Sequence, residues 1–317
     1  MSLSKSGRVC LILAVALATA TVLKAAEPSG GFGIGPGMVL IENIKPGGGQ
    51  VDVASKTGFT FEVVNDTNEK QLFNVTSRTA RATISSWEMG YESIPDASWL
   101  QLEKKEIEVD AKSKGKIKMT LNIPDKPEYY NRKWMGIVAC APGAARTDGG
   151  SSVGLVVASR VQIETLTRDD VEPAGGDVGL VPASWMMSDA KPGDSWRKVI
   201  KIRNNTKDEH VYSVKQIGDV EKEASRHARY YGQNFIPVEK EPWTAIKDAD
   251  KTFTLKAGET KEVPVMVTVG KDAKASKLYE ELMFIQDEKG SVNFVRLRTE
   301  TAGPAAANAD DSKKPTP

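Results

Sequence analysis

The sequence carries an internal repeat of alternating segments, and that repeat limits the fold more than any single motif. Phe59-x-Phe61-x-Val63-x-Asn65 runs into the polar turn Asp66-Thr67, and Lys198-x-Ile200-x-Ile202-x-Asn204 runs into Asn205-Thr206 at an offset of 139 residues. Val75 and Val214 end the following segments at the same offset. Farther on, Trp99 leads into Ile107-x-Val109-x-Ala111 and Ile117-x-Met119-x-Leu121-x-Ile123. Trp243 leads into Phe253-x-Leu255-x-Ala257 and Val263-x-Val265-x-Val267-x-Val269, the strands now offset by 146. Each copy opens on an apolar stretch and a Lys-Pro-Gly turn, Lys45-Pro46-Gly47 and Lys191-Pro192-Gly193. Each closes on an apolar run, Met135 to Ala141 and Leu282 to Ile285, followed by a last strand. Strict alternation sends every second side chain to one sheet face, which is the pattern of a half-buried antiparallel strand.

About six to eight such strands per copy, parted by Gly, Pro, Asn or Asp turns, predict an all-β protein of two tandem immunoglobulin-like β-sandwich domains. The expected division is a first sandwich over 38–166, a linker over 167–177 and a second sandwich over 178–301. The Pro28 to Gly37 stretch reads as a flexible leader (27–37), too rich in Gly and Pro for helix or strand, and 302–317 as a disordered tail. The loops Ser77 to Ser98 and Gln216 to Pro242 differ most between the copies, and Val220 to Tyr231 in the second is the one segment with a helical pattern. Divergence between copies is what loops with separate tasks show.

Lys5 and Arg8 precede an apolar run from Val9 to Leu23 that ends in Ala25 and Ala26, the layout of a cleaved secretory signal peptide over 1–26. The run is shorter than the roughly 20 residues of a membrane span, so no span is expected in the mature protein. Export to the periplasm or the cell surface follows. The full chain has 43 basic and 42 acidic residues; losing Lys5, Arg8 and Lys24 leaves 40 against 42. A mildly acidic mature protein lacks the clustered cations that release counterions from a polyanion, so nucleic acid is not an expected partner. Of the two cysteines, Cys10 leaves with the signal, and Cys140 reads as a small buried hydrophobe.

Catalysis needs a few convergent groups, and the supply is thin. His210 and His227 form no metal-ligand spacing, and no Cys pair offers a zinc site. The sequence has no GxSxG elbow and no P-loop, and Gly33-x-Gly35-x-Gly37 lacks the strand and helix that a nucleotide loop requires. Asp248-Ala-Asp250, Arg168-Asp-Asp170 and Asp310-Asp311 read as solvated turns rather than calcium loops. No enzyme activity, cofactor or metal is expected. The matches to the N-glycosylation pattern at Asn65, Asn74 and Asn204 carry little information in a bacterial exported protein.

Aromatic residues near loops supply the candidate partner-binding set. Tyr129 and Tyr130 precede an inner strand, while Tyr230 and Tyr231 close the second long loop beside Arg226 and Arg229. Tyr and Arg are favoured interface anchors, and a planar ring also stacks on a sugar. Trp99 and Trp243, at equivalent repeat positions, read as packing residues.

The Lys-Pro-Gly turns, the strand-to-Asn turns at Asn65 and Asn204 and the strand pairs after Trp99 and Trp243 resemble those of bacterial exported tandem Ig-like proteins. In layout the chain is most similar to the WxL-interacting cell-surface proteins, although that family ends in a membrane span and this chain in an Ala/Pro-rich stretch. Periplasmic pilus chaperones are similar in outline. The resemblance implies a non-enzymatic cell-envelope protein whose partner is an envelope protein or a cell-wall glycan. It also implies two alternatives: an assembly chaperone acting by β-augmentation, and a carbohydrate-binding module.

Overall fold

A computed structural model describes residues 31–80, 90–143, 155–216, 231–232, 234–238 and 241–303. The first sandwich is built from β1 (Phe32–Gly35), β2 (Met38–Ile44), β3 (Val51–Asp52), β4 (Phe61–Asn65), β5 (Gln71–Thr79), β6 (Glu92–Ser93), β7 (Leu100–Leu102), β8 (Glu106–Val109), β9 (Ser113–Ile117), β10 (Met119–Leu121), β11 (Lys133–Pro142) and β12 (Val157–Thr165). The second contains β13 (Val178–Val181), β14 (Ser184–Ala190), β15 (Ser195–Asn204), β16 (His210–Gln216), β17 (Ile236–Pro237), β18 (Thr244–Ala245), β19 (Thr252–Leu255), β20 (Thr260–Thr268), β21 (Leu278–Asp287) and β22 (Val292–Thr301). Single helical turns, α1 (Val53–Thr57) and α2 (Asp248–Lys251), fill two connections.

In the first sandwich the large sheet runs β2-β12-β11-β5-β8, with β6 beside β11, and faces two small sheets, β1-β4-β9 and β3-β10-β7. In the second, β14-β22-β21-β16-β19, with β17 beside β21, faces β13-β15-β20-β18. The expected alternation is what fills the cores. Phe61, Val63, Ile117 and Leu121 meet Phe73, Val138 and Val161 in one. Ile200, Ile202, Val263 and Val265 meet Val214, Met283 and Val295 in the other. Each fully buried side chain of this size contributes about 1.5–3 kcal/mol. Cys140 lies in the first core, where burial pushes its thiol up to about 11.

The repeat extends to the backbone. In both copies the opening strand is shared between the two sheets. β1 pairs antiparallel with β4 and β2 parallel with β12, as β13 does with β15 and β14 with β22. The crossing falls at the cis prolines Pro36 and Pro182. Late in β2 and β14 the register shifts, beside Asn43 and Asp189 at φ 55 and 54. The Lys-Pro-Gly turns need glycine: Gly47 and Gly193 have φ of 69 and 90, and their N–H groups donate to the carbonyls of Ile123 and Val269.

Asn65 and Asn204 explain why the strand-to-Asn turn is duplicated. Both are fully buried, so neither presents its amide to solvent. The Asn65 amide donates to the carbonyls of Glu69, Val109 and Asp110, and its oxygen accepts from the Thr67 N–H and hydroxyl. Asn204 repeats this with the carbonyls of Asp208 and Leu255 and with Thr206. One side chain thus satisfies several turn groups that burial would otherwise orphan.

One expectation needs correction. Phe32–Gly35, assigned to a leader without strand, is β1, aligned residue for residue with Glu62–Asn65. Its two glycines erase the period-2 side-chain signal, so the strand is held by main-chain pairing and by Phe32 packing on Phe73 at 5.5 Å. The segment expected as a signal peptide, all but Ala302 and Gly303 of the tail expected over 302–317, and all but Tyr231 of the helix expected over Val220 to Tyr231 lie outside the described residues. No helix among the described residues is long and apolar enough to cross a membrane.

Candidate partner-binding edge beside a buried charge lock

Strands β11 and β21 are apolar without alternation because both their faces are covered. Trp134, Val138 and Cys140 point into the first core, whereas Met135, Ile137 and Ala139 point outward onto Leu282, Phe284 and Phe294 of the second sandwich. The outer faces of the two large sheets therefore pack on each other, with Tyr91 and Ala80 completing an apolar seam.

Charged residues on the outward positions of β2, β12, β21 and β22 close the seam. Arg296, with no exposed surface, donates from Nε and Nη2 to both oxygens of Glu164 at 2.7 and 2.6 Å, and from Nη1 to Glu280 at 3.0 Å. Arg298 donates to Glu280 at 2.6 Å and to Glu42. The Tyr91 hydroxyl donates to Glu164, and the Gly232 N–H to Glu280 at 2.7 Å. Lys133 crosses the seam to the Phe294 carbonyl at 2.6 Å. Burial alone would raise the Glu164 carboxyl, but the Arg296 guanidinium outweighs it and holds the group down at about 2. For Glu42 burial prevails and the shift is upward. Burial lowers the Lys133 ammonium to about 8. A forked guanidinium between two carboxylates fixes geometry as well as charge, so the two sandwiches are held in one relative position.

At the rim of this seam lies a groove of about 380 Å³ along β2, lined by Met38, Leu40, Asn43, Lys56, Phe59 and Tyr231. β2 is an edge of its sheet. Two other edges of the first sandwich are guarded by charge, with Glu106 and Glu108 exposed on β8 and Lys114 and Lys116 exposed on β9. The single charge on β2, Glu42, also lines the groove but is paired with Arg298 and Arg296. Phe59, 46% exposed, stands beside the edge. A long apolar edge without charge is a template for another strand.

Of the six residues proposed from sequence, Tyr231 is the one among the described residues that lines this groove, and Arg226, Arg229 and Tyr230 lie outside the described residues. Tyr129 packs edge-on against Trp99 and Trp134 at 5.1 and 5.4 Å, and Tyr130 is buried beneath the Arg168 guanidinium. Both serve packing. His210 is buried, with Nδ1 2.7 Å from Glu288. The groove residues Met38, Leu40, Lys56 and Phe59 carried no motif. Their signal was the contrast between β2, with one charge in seven residues, and the more heavily charged edge strands β8 and β9.

No protein-family model matches the chain, and no curated protein matches it. Among solved structures it is similar to a protein of unknown function from Porphyromonas gingivalis W83, at 11% identity, covering 85% of this chain and 99% of that one with a TM-score of 0.30. It is similar to the E. coli chaperone DraB at 9% identity, with coverages of 86% and 98% and a TM-score of 0.29. A putative carbohydrate binding protein from Bacteroides ovatus ATCC 8483 covers 40% of this chain and 37% of its own, at 15% identity and a TM-score of 0.31. Likenesses of this size lend no argument about function; the all-β, Ig-like sandwich character rests on the strand order and register themselves.

Proposed function

We propose that the protein is an exported, non-catalytic binding protein of the cell envelope that takes an extended segment of another protein along the β2 edge. One observation carries this reading: β2 is a largely apolar sheet edge whose single charge, Glu42, is paired with Arg298, and it opens onto a groove bordered by Phe59 and Tyr231. Main-chain hydrogen bonds to an added strand supply affinity, and the groove selects its alternate side chains. The buried lock at Arg296 supports the reading because it keeps the edge and Tyr231, which come from different sandwiches, in register. The N-terminal pattern supports an extracytoplasmic setting. An assembly chaperone is the second reading, favoured by the same edge; its occupant is a strand of an incomplete subunit rather than of a folded partner.

The test is a peptide array of apolar segments of about eight residues, the length of an ordinary strand, probed with the mature chain. Selected peptides should lose binding when alternate amides are N-methylated and when Leu40→Lys places a charge on the edge. Binding unchanged by both would sink the proposal.

A further inference from the structure

Around their equivalent tryptophans the two copies differ by one aromatic ring. In the first, Trp99 is 7% exposed and enclosed by Tyr129 and Trp134, the three rings meeting edge to face at centroid distances of 5.1, 5.3 and 5.4 Å. In the second, Trp243 holds the place of Trp99 and Tyr279 that of Trp134, their rings 4.8 Å apart. Among the described residues no third ring joins them. Asn131 and Ser276 occupy the same turn, two residues before β11 and β21, at φ 56 and 53. Counting back from them aligns Tyr129 with Lys274, whose side chain is exposed. Beside Trp243 and Tyr279 lies a groove of about 390 Å³, lined also by Glu241, Asp272 and Ala273 among others.

The indole is held in place from several sides. Buried Glu281 accepts hydrogen bonds from the Trp243 and Thr244 N–H groups at 2.9 and 3.1 Å, and the Trp243 carbonyl accepts from Thr268 N–H at 2.7 Å. A Cβ on Gly270 would stand 2.5 Å from the indole nitrogen and 2.9 Å from an Asp272 carboxylate oxygen. The bare glycine therefore lets ring edge and carboxylate sit side by side. Among the described residues lining the groove, Glu241 and Asp272 are the charged ones, and neither Lys271 nor Lys274 lines it. A half-buried indole whose described charged neighbours in the groove are two carboxylates is complementary to a cation, and a planar guanidinium both stacks on the ring and bonds to a carboxylate at its edge.

We propose that this groove receives an arginine side chain of a partner protein, with the guanidinium over Trp243 and its N–H groups donating to Asp272 and Glu241. The site lies on the second sandwich and does not depend on occupancy of the β2 edge. N-acetyl-arginine methylamide titrated into the ¹⁵N-labelled mature chain should shift the indole N–H resonance of Trp243, assigned with Trp243→Phe, in a saturable way and leave that of Trp99 in place. The double variant Glu241→Gln, Asp272→Asn, which preserves shape, should weaken binding by about tenfold or more. Lys274→Tyr, which restores the ring found in the first copy, should abolish it. The uncharged isostere N-acetyl-citrulline methylamide should bind far more weakly. No saturable shift, equal binding by the citrulline probe, equal or tighter binding by N-acetylglucosamine, or an unchanged affinity in the double variant would each overturn the assignment.

Discussion

The two sandwiches share a backbone plan down to single hydrogen bonds, yet beneath their equivalent tryptophans the filling is opposite in character. In the first, Leu100 follows Trp99 and packs onto Gly136 so closely that a Cβ there would strike its Cδ1. In the second, the positions of Leu100 and Gly136 are taken by Thr244 and Glu281, and the Glu281 carboxyl accepts from the Thr244 hydroxyl and from two backbone N–H groups. An apolar plug has become a polar clamp. The comparison teaches that the duplicated skeleton tolerates exchange of its core chemistry, provided that the volume and the hydrogen bonds both close. It also shows where the second copy gave up a sealed aromatic cluster for an open groove.

The largest difference between copies lies on their last strands. Arg160 on β12 and Arg296 on β22 are equivalent, but Arg160 is only half-buried whereas Arg296 has no exposed surface and grips two carboxylates. Arg296→Met should cost about 3–5 kcal/mol, because it takes from buried Glu164 its bidentate cation and leaves Glu280 only Arg298 and the Gly232 N–H. Arg160→Met should cost under about 1 kcal/mol. Urea titration of both variants measures the contrast, and equal losses would show that the seam is not the locked element.

Glu281 gives the next effect, and its direction follows from burial. Burial raises its carboxyl from 4.5 to about 7, partly opposed by the hydrogen bonds from Thr244 and Trp243. Its folded-state value lies above the unfolded one, so its contribution to stability is complete below pH 4.5. That contribution declines as the pH rises toward 7, where the folded protein must ionise a carboxyl with no cation beside it. The span corresponds to roughly 3 kcal/mol. Glu281→Gln should remove this decline, and thermal melts of both proteins from pH 4 to 8 would show it as a difference curve. Glu164 acts with the opposite sign: its contribution is present above pH 4.5 and is lost as the pH falls through about 2. A parallel pair of melting curves would mean that Glu281 is already neutralised by a partner.

Much of this was legible in the sequence, and what was not has a common cause. Alternation at Phe61, Val63, Ile200 and Ile202 named the core faces because period 2 is imposed by strand geometry itself. The run from Met135 to Ala141 stood out only as an apolar segment without alternation, and the structure shows why: its strand is covered on both sides. The seam was hidden because Arg296, Arg298 and Glu164 fall on outward positions, where a charge buried against a second sandwich looks the same as a solvated one. Tyr129 and Tyr130 looked like loop anchors because their place in sequence is a turn; their partners Trp99, Trp134 and Arg168 lie far along the chain. β1 was missed because glycine leaves no side-chain pattern to read.

The smallest expected difference is the most exacting test of the duplication. Asn65→Ala and Asn204→Ala each remove a buried amide that closes a turn and leave carbonyls and a threonine without partners. A loss of about 1–3 kcal/mol is expected for either. Asn65 serves three carbonyls and Asn204 two, so the first substitution should cost more, by less than about 1 kcal/mol. Hydrogen exchange can assign each loss to its own sandwich, since the Thr67 and Thr206 N–H groups donate to the two asparagines and report the local opening. If Asn65→Ala loosened Thr206 as strongly as Thr67, the copies would unfold as one unit through the Arg296 lock. If each variant loosened only its own threonine, the seam would be a joint between two bodies that keep separate stabilities.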